Sequence, residues 1–189
     1  LCYKQGMAFE VVHVNYHKRE TANRDQNIVE NYCKERSIKI HVSDALDLAG
    51  NFQMAAREYR YEKCRSVIQS SHADGMMVAH HKDDDLETYL FQKQRHSCVT
   101  WFGLKTEIEM KGVRLVRPLL SLSKKDLMDY CELNHISYGL DESNLSLDYT
   151  RNQIRSVIEK MTNDQIKVLH DEKNMLNRER QTYLKRYAS

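Results

Sequence analysis

Short β-branched apolar runs alternate with helical periodicities along the first eighty residues. Phe9-Glu10-Val11-Val12-His13-Val14 reads as a buried strand. Thr21 to Arg36 places Ile28, Val29, Tyr32 and Cys33 at helical spacing. Ser37-Ile38-Lys39-Ile40-His41-Val42 alternates and predicts a second strand. Gln53 to Gln69 carries Ala55, Ala56, Tyr59, Cys64, Val67 and Ile68, a second helix. Gly75 to His80 predicts a third strand, and Leu86 to Gln94 a third helix that Asp83 or Asp84 can cap. This rhythm predicts an α/β fold: a three-layer sandwich with a mostly parallel sheet over residues 8–80. Ligands of such sheets bind beyond the carboxyl ends of the strands. The segments to inspect are therefore Asn15 to Arg19, Ser43 and Asp44, and His80 to Glu87.

The pattern changes after residue 100. Lys105–Met110 and Val113–Val116 flank Lys111-Gly112, which predicts a hairpin. Ser123–Asn134 and Tyr149–Met161 read as helices, and Thr162-x-x-Gln165 as a capping box opening a last helix to about Tyr187. The expected organisation is a domain over residues 1–155, with 156–189 a helical extension or a linker.

With 189 residues, 41% of them hydrophobic and 30% charged, the chain is long enough for one cored domain and reads as soluble. No run approaches the ~20 apolar residues of a membrane span, and no signal peptide is visible. The start at Leu1 implies a chain that begins inside a longer protein. Five cysteines form no C-x-x-C pair, which argues against a zinc ribbon and suits a reducing cytoplasm. The net charge of +2 is uninformative, but its distribution is not. Between Lys93 and Lys125 eight basic residues face only Glu107 and Glu109, and from Arg151 onward nine face five acids. Two basic segments suit either a solvated surface or a phosphate-bearing partner such as RNA.

The densest chemistry is His80-His81-Lys82-Asp83-Asp84-Asp85-Leu86-Glu87-Thr88, at a strand-to-helix junction. Asp84 and Glu87, three apart, can share a helix face and hold an ammonium group or a magnesium ion. His80 can donate a hydrogen bond to a phosphate. A plain acidic N-cap is the bland alternative. A metal hydrolase using His80, His81, Asp83 and Asp84 is disfavoured, because adjacent side chains of a strand diverge. Arg57 and Arg60 share one face of Ala55-Ala56-Arg57-x-x-Arg60-Tyr61 and can fork a phosphate, or bridge to Glu58 or Glu62. Asp141-Glu142-Ser143-Asn144 leads into Tyr149-x-Arg151-Asn152-x-x-Arg155, either a cap or a brace against an RNA backbone.

Together these motifs resemble the tRNA(Ile)-lysidine synthetase family of the N-type ATP pyrophosphatase (PP-loop) group. His13-Val14-Asn15-Tyr16-His17-Lys18-Arg19 is similar to its His-Val-Asp-His-x-x-Arg. The Ala-Ala-Arg-x-x-Arg-Tyr element matches residues 55–61, and the His-His-x-Asp-Asp-x-x-Glu-Thr motif residues 80–88. Arg117-Pro118-Leu119-Leu120, Asp141 to Asn144 and Tyr149 to Arg155 match the rest, in order. The family's Ser-Gly-Gly-x-Asp-Ser phosphate loop is absent and would precede Leu1, which implies a fragment inactive by itself. The family's glycine-rich stretch after Arg95 reads His96-Ser97-Cys98 here, with Gly103-Leu104 retained.

The resemblance implies a cytoplasmic ligase using ATP and Mg²⁺, with free lysine and the CAU-anticodon tRNA(Ile) as partners. It implies Asp84, His80 and Arg60 as catalytic residues, and Asp84 and Glu87 for lysine. ATP falls to Asn15, Arg57, Arg60, His80 and Asp83, with Asp83 also a Mg²⁺ ligand. The tRNA falls to Lys105, Lys111, Arg114, Arg151 and Arg155. Another PP-loop tRNA-modifying enzyme such as a thiolase, or a non-catalytic tRNA-binding fragment, are the alternatives. No oligomeric state follows from the sequence, a homo-oligomer included.

Overall fold

The computed structural model of the chain describes residues 2–46, 48–139 and 149–187. The fold is α/β. Its residues divide into two compact units.

The first unit holds Leu1–Met76, Met110–Arg114 and Cys131–Asp141. Strand β1 (Val11–Asn15) pairs in parallel with β2 (Ile40–Asp44), and Asn15 stands opposite Asp44 at their carboxyl ends. The connecting helix α1 (Ala22–Glu35) buries Cys33. The β2 strand starts later than the alternation at Ser37 predicts. Ser37 instead closes α1 with a φ of 53°, and Ile38 N–H returns to the Cys33 carbonyl at 2.9 Å. That left-handed closure is a frequent way for a helix to end. Helix α2 (Phe52–Ser71) opens at Asn51, whose side chain accepts from the Met54 N–H at 3.2 Å.

The second unit holds Met77–Glu109, Leu115–Tyr130 and Glu142–Ser189. Helix α3 (Lys82–Gln94) begins with Asp83, Asp84 and Asp85, charges that suit the positive end of the helix dipole. With α5 (Tyr149–Glu159) and α6 (Asn163–Tyr187) it makes a mostly helical body, to which α4 (Lys124–Leu133) belongs as far as Tyr130. Leu86, Tyr89, Ile154 and Ile158 form the core, joined by Phe102, Ile166, Leu169 and Leu176. Tyr89 and Phe102 meet edge to face at 5.9 Å, an arrangement worth about 1 kcal/mol beyond burial. Residue 155, the expected end of the first domain, falls inside α5, and α6 contributes to this core. The Thr162 box forms as predicted: Thr162 N–H donates to Gln165 Oε1 at 2.9 Å, and Gln165 N–H to Thr162 Oγ1 at 3.3 Å.

The third predicted strand is reduced to β3 (Met76–Met77). Its hydrogen-bonded neighbour is not β1 or β2 but β5 (Val113–Val116), in a sheet of order β3-β5-β4 with β4 at Glu107–Met110. Lys111 and Gly112 join β4 to β5 with φ of 52° and 75°, the two left-handed residues of a tight hairpin turn. No helix among the described residues is long and apolar enough to cross a membrane.

Candidate active site

In the first unit the chemistry sits where β1 and β2 end. Asn15 is 2% exposed, and its amide group donates to Asn23 Oδ1 at 3.0 Å and Gln26 Oε1 at 2.8 Å. Its own Oδ1 accepts the His17 N–H at 2.9 Å. The Asn15 side chain therefore ties the end of β1 to α1 and the following turn. His17, with φ 49°, reaches the Asp44 carboxylate at 2.6 Å across the strand ends. Tyr16 donates its hydroxyl to the Ala56 carbonyl at 2.9 Å, and Tyr59 donates to that of Asp44 at 2.9 Å. These bonds hold the first turns of α2 against β1 and β2. Arg57 and Arg60 remain on the exposed side of α2, within 5.5 and 5.8 Å of the Tyr61 ring.

In the second unit the His80–Glu87 segment is one connected arrangement. The half-buried His80 accepts at Nδ1 from Arg117 Nε at 3.1 Å. The His81 ring lies between two carboxylates, 3.5 Å from Asp83 and 3.4 Å from Asp84. Asp84 accepts the His81 N–H at 2.9 Å, which caps α3 from its third residue. Asp83 accepts the Lys124 N–H at 2.8 Å and so caps α4. Glu87 is 4% exposed and is gripped by Arg151 Nη1 at 3.0 Å and Arg155 Nε at 2.5 Å. The predicted carboxylate pair thus divides its work. Asp84 stays at the helix mouth, half-buried, while Glu87 faces α5. The Asp141–Asn144 motif lies outside the described residues.

Sequence reasoning missed a buried ionic cluster beside this segment. Asp85 and Lys173 are 4% and 7% exposed and form a salt bridge. Asp85 also accepts the Leu104 N–H at 2.7 Å, and His170 Nδ1 stands 3.9 Å from it. Asn177, 3% exposed, bonds both the N–H and the carbonyl of Phe102, at 2.7 and 3.0 Å. Gln92 accepts the Gly103 N–H at 2.7 Å, and Arg180 and Gln181 donate to the carbonyls of Val99 and Thr100. The stretch after Arg95, where the glycines of the resembled family are missing, is therefore laced to α3 and α6. His96 takes the left-handed turn that ends α3, φ 48°, at a cost to a non-glycine residue of about 1–2 kcal/mol. Gly103 is retained for a reason: its φ is 74°, and a Cβ there would run into Asp85 Oδ1. A signal for the cluster exists in the sequence. Leu169, Lys173 and Leu176 follow one helical stripe, as do Asp85 and Tyr89, and a charge on an apolar stripe implies a buried partner.

Burial, reinforced by the Lys173 and Lys82 cations, pushes the His170 imidazole below its ordinary value. Burial does the same to His13 in the first unit. A histidine shifted down on folding contributes stability above its unfolded value, about pH 6.5, and loses it as pH falls through the folded value. The chain should therefore lose thermal stability between about pH 7 and pH 5, and His170→Gln should flatten that fall. Unfolding midpoints measured across this range, flat in the wild type, would disprove it.

The basic segment from Lys93 to Lys125 is less unbalanced in space than in sequence. Lys93 pairs with Glu172 at 2.5 Å, Lys111 with Glu58 at 3.6 Å and Lys125 with Asp129 at 2.5 Å. Arg117 is buried. Lys105 and Arg114 lie exposed, Lys105 at 5.6 Å from the Trp101 ring. Among the described residues no group of three or more His, Cys, Asp or Glu side chains is placed to hold a metal ion.

One unit thus carries parallel strands that end in polar turns, and the other an acidic helix start with an oriented histidine, both features of an α/β class of protein. The chain belongs to the PP-loop domain family, an ATP-binding family whose model matches residues 1–161. It is 36% identical over 163 residues to the tRNA(Ile)-lysidine synthase of Ureaplasma parvum, covering 82% of this chain and 49% of that protein. It is 36% identical over 151 residues to the tRNA(Ile)-lysidine synthase of Mycoplasma pneumoniae, covering 78% and 52%. The chain thus spans about half the length of these curated relatives. Among solved structures it is similar to the U34-tRNA thiolase of Methanococcus maripaludis with its [4Fe-4S] cluster. The TM-score is 0.70 at 14% identity, over 89% of this chain and 61% of that one. That likeness is one of fold.

Proposed function

We propose that this chain is the PP-loop part of a tRNA(Ile)-lysidine synthetase, with residues 1–155 carrying the catalytic domain and 156–189 completing its core. The observation that carries the reading is the start of α3: an oriented histidine, His80, beside a half-buried carboxylate, Asp84, with Glu87 one turn on. In this reading ATP adenylates the C2 oxygen of the wobble cytidine of the CAU-anticodon tRNA(Ile), releasing pyrophosphate. The ε-amine of free lysine then attacks C2, loses a proton and displaces AMP, leaving lysidine.

Arg57 and Arg60 of the first unit, and His80 of the second, are the proposed phosphate-binding residues, and Arg60 and His80 are also given the catalytic role. Asn15 would act by fixing the β1 end, since its amide is committed to α1. Asp84, with Glu87, would receive the lysine ammonium. Glu87 already holds two guanidinium groups, so a lysine ammonium there must displace or share with Arg151 or Arg155. Asp83 has one carboxylate oxygen on the Lys124 N–H, which fits a Mg²⁺ ion held by one carboxylate and substrate phosphates. When bound, such an ion balances the phosphate charge.

The full-length protein incubated with ATP, labelled lysine and tRNA(Ile) should incorporate label and release AMP and pyrophosphate. Sulfur transfer in place of lysine incorporation would move the reading to a thiolase, and tRNA binding without either would make it a binding module. Lys105, Lys111, Arg114, Arg151 and Arg155 are the proposed tRNA contacts. Replacing Lys105, Lys111 and Arg114 together should flatten the dependence of log affinity on log salt by roughly one unit per lost contact. It should leave ATP binding nearly unchanged. An unchanged slope would return these side chains to ordinary solvated surface.

A further inference from the structure

We infer that Arg117 is a positioning residue that holds His80 as its Nε2–H tautomer, so that the ring offers a hydrogen-bond donor to the nucleotide phosphates. This rests on the nucleotide role proposed for His80. The geometry is local to one unit. Val78 N–H donates to the Val116 carbonyl at 3.0 Å, and Lys82 N–H donates to the Leu122 carbonyl at 2.8 Å. These two bonds bracket His80 on one segment and Arg117 on the other, and set them opposite each other.

Arg117 is itself fixed. It is 4% exposed, its N–H donates to the Thr106 carbonyl at 2.7 Å, and its Nη1 donates to the Lys105 carbonyl at 2.7 Å. Pro118 follows and disfavours a helical backbone at Arg117. Its Nε–H points at His80 Nδ1, 3.1 Å away.

A guanidinium group has donors only and keeps its protons throughout the working pH range. The ring nitrogen facing it must therefore present a lone pair. In a neutral imidazole the single proton then resides on Nε2. The opposite tautomer would turn a lone pair toward an anion at Nε2 and leave Nδ1–H against Arg117 Nε–H, two repulsions at once. The Arg-Pro-Leu-Leu motif thus acquires a physical role, because its arginine, from a separate segment, selects which nitrogen of the first histidine carries the proton.

Histidine-selective ¹⁵N labelling of the full chain, with long-range ¹H–¹⁵N correlation and His80→Asn to assign the signal, reads the tautomer without any substrate. The expected result is Nε2–H in the wild type. Arg117→Met should give a mixture of tautomers and, in the full-length protein, raise the ATP requirement about tenfold, the loss of one charge-assisted contact. Arg117→Lys, which keeps a cationic donor, should restore the single tautomer in part. A wild-type His80 protonated at Nδ1 overturns the inference, as does a mixed tautomer in Arg117→Met with an unchanged ATP requirement. If Arg117→Met does not fold, the wild-type spectrum and Arg117→Lys decide. Failure of lysine incorporation with an Nε2–H His80 would refute the proposed reaction and leave the tautomer assignment standing.

Discussion

Lys173→Met is expected to lower the unfolding midpoint by roughly 6–20 °C, from a loss of about 3–5 kcal/mol at about 2–4 °C per kcal/mol for a chain of this size. Both members of the Asp85–Lys173 pair are nearly inaccessible to water. Removing the ammonium leaves a buried carboxylate whose remaining described donor is the Leu104 N–H. One neutral donor does not replace a salt bridge in a dry site. Methionine fills the space of the lysine stem, so lost packing is a small part of the effect. The double variant Asp85→Asn/Lys173→Met should recover much of the loss. An asparagine carries no charge to desolvate and can still accept from Leu104. Calorimetry of the three variants tests this, and an unchanged midpoint in Lys173→Met would show that the pair is solvated and structurally idle.

That cluster also marks where the sequence stopped being legible. Strands β1 and β2 and, among the described residues, the helices α1 to α6 follow from periodicity and capping residues, because their signals are local. The turn at Lys111-Gly112 and the box at Thr162 are legible for the same reason. The pairing of β3 with β5 is not, since a two-residue strand carries no period and its partner is more than thirty residues away. The site shows the same division. The His80–Glu87 motif was readable as a cluster of chemistry, and its position at the start of α3 followed. Which carboxylate stays at the mouth and which turns inward was not readable. Asp84 and Glu87 are three apart, and only the placement of α5 decides that Glu87 meets Arg151 and Arg155. Likewise, the surplus of basic residues between Lys93 and Lys125 ignored Glu172 and Glu58, acids brought in from distant segments, and Asp129, one helical turn beyond Lys125.

On the proposed reaction, Asp84→Asn should raise the lysine requirement of the full-length protein by one to two orders of magnitude while barely changing stability. The argument rests on what asparagine keeps. Asp84 Oδ2 accepts the His81 N–H, and an amide oxygen can accept the same bond, so the start of α3 survives. What disappears is the negative charge at the helix mouth. A charge-assisted contact to an ammonium is worth roughly 1.5–3 kcal/mol, and about 1.4 kcal/mol is tenfold in affinity. Glu87→Gln is the contrasting case. It removes the charge that two arginines share, so it should cost about 2 kcal/mol of stability as well as lysine affinity. Arg151 and Arg155 are nearly half exposed and can recover water, which keeps that cost below the loss expected at Lys173. Lysine titrations and thermal melts on both variants separate the two roles. Wild-type lysine dependence in both would remove the carboxylates from the lysine site. A stability loss in Asp84→Asn as large as in Glu87→Gln would mean that the charge of Asp84 serves the fold rather than the substrate.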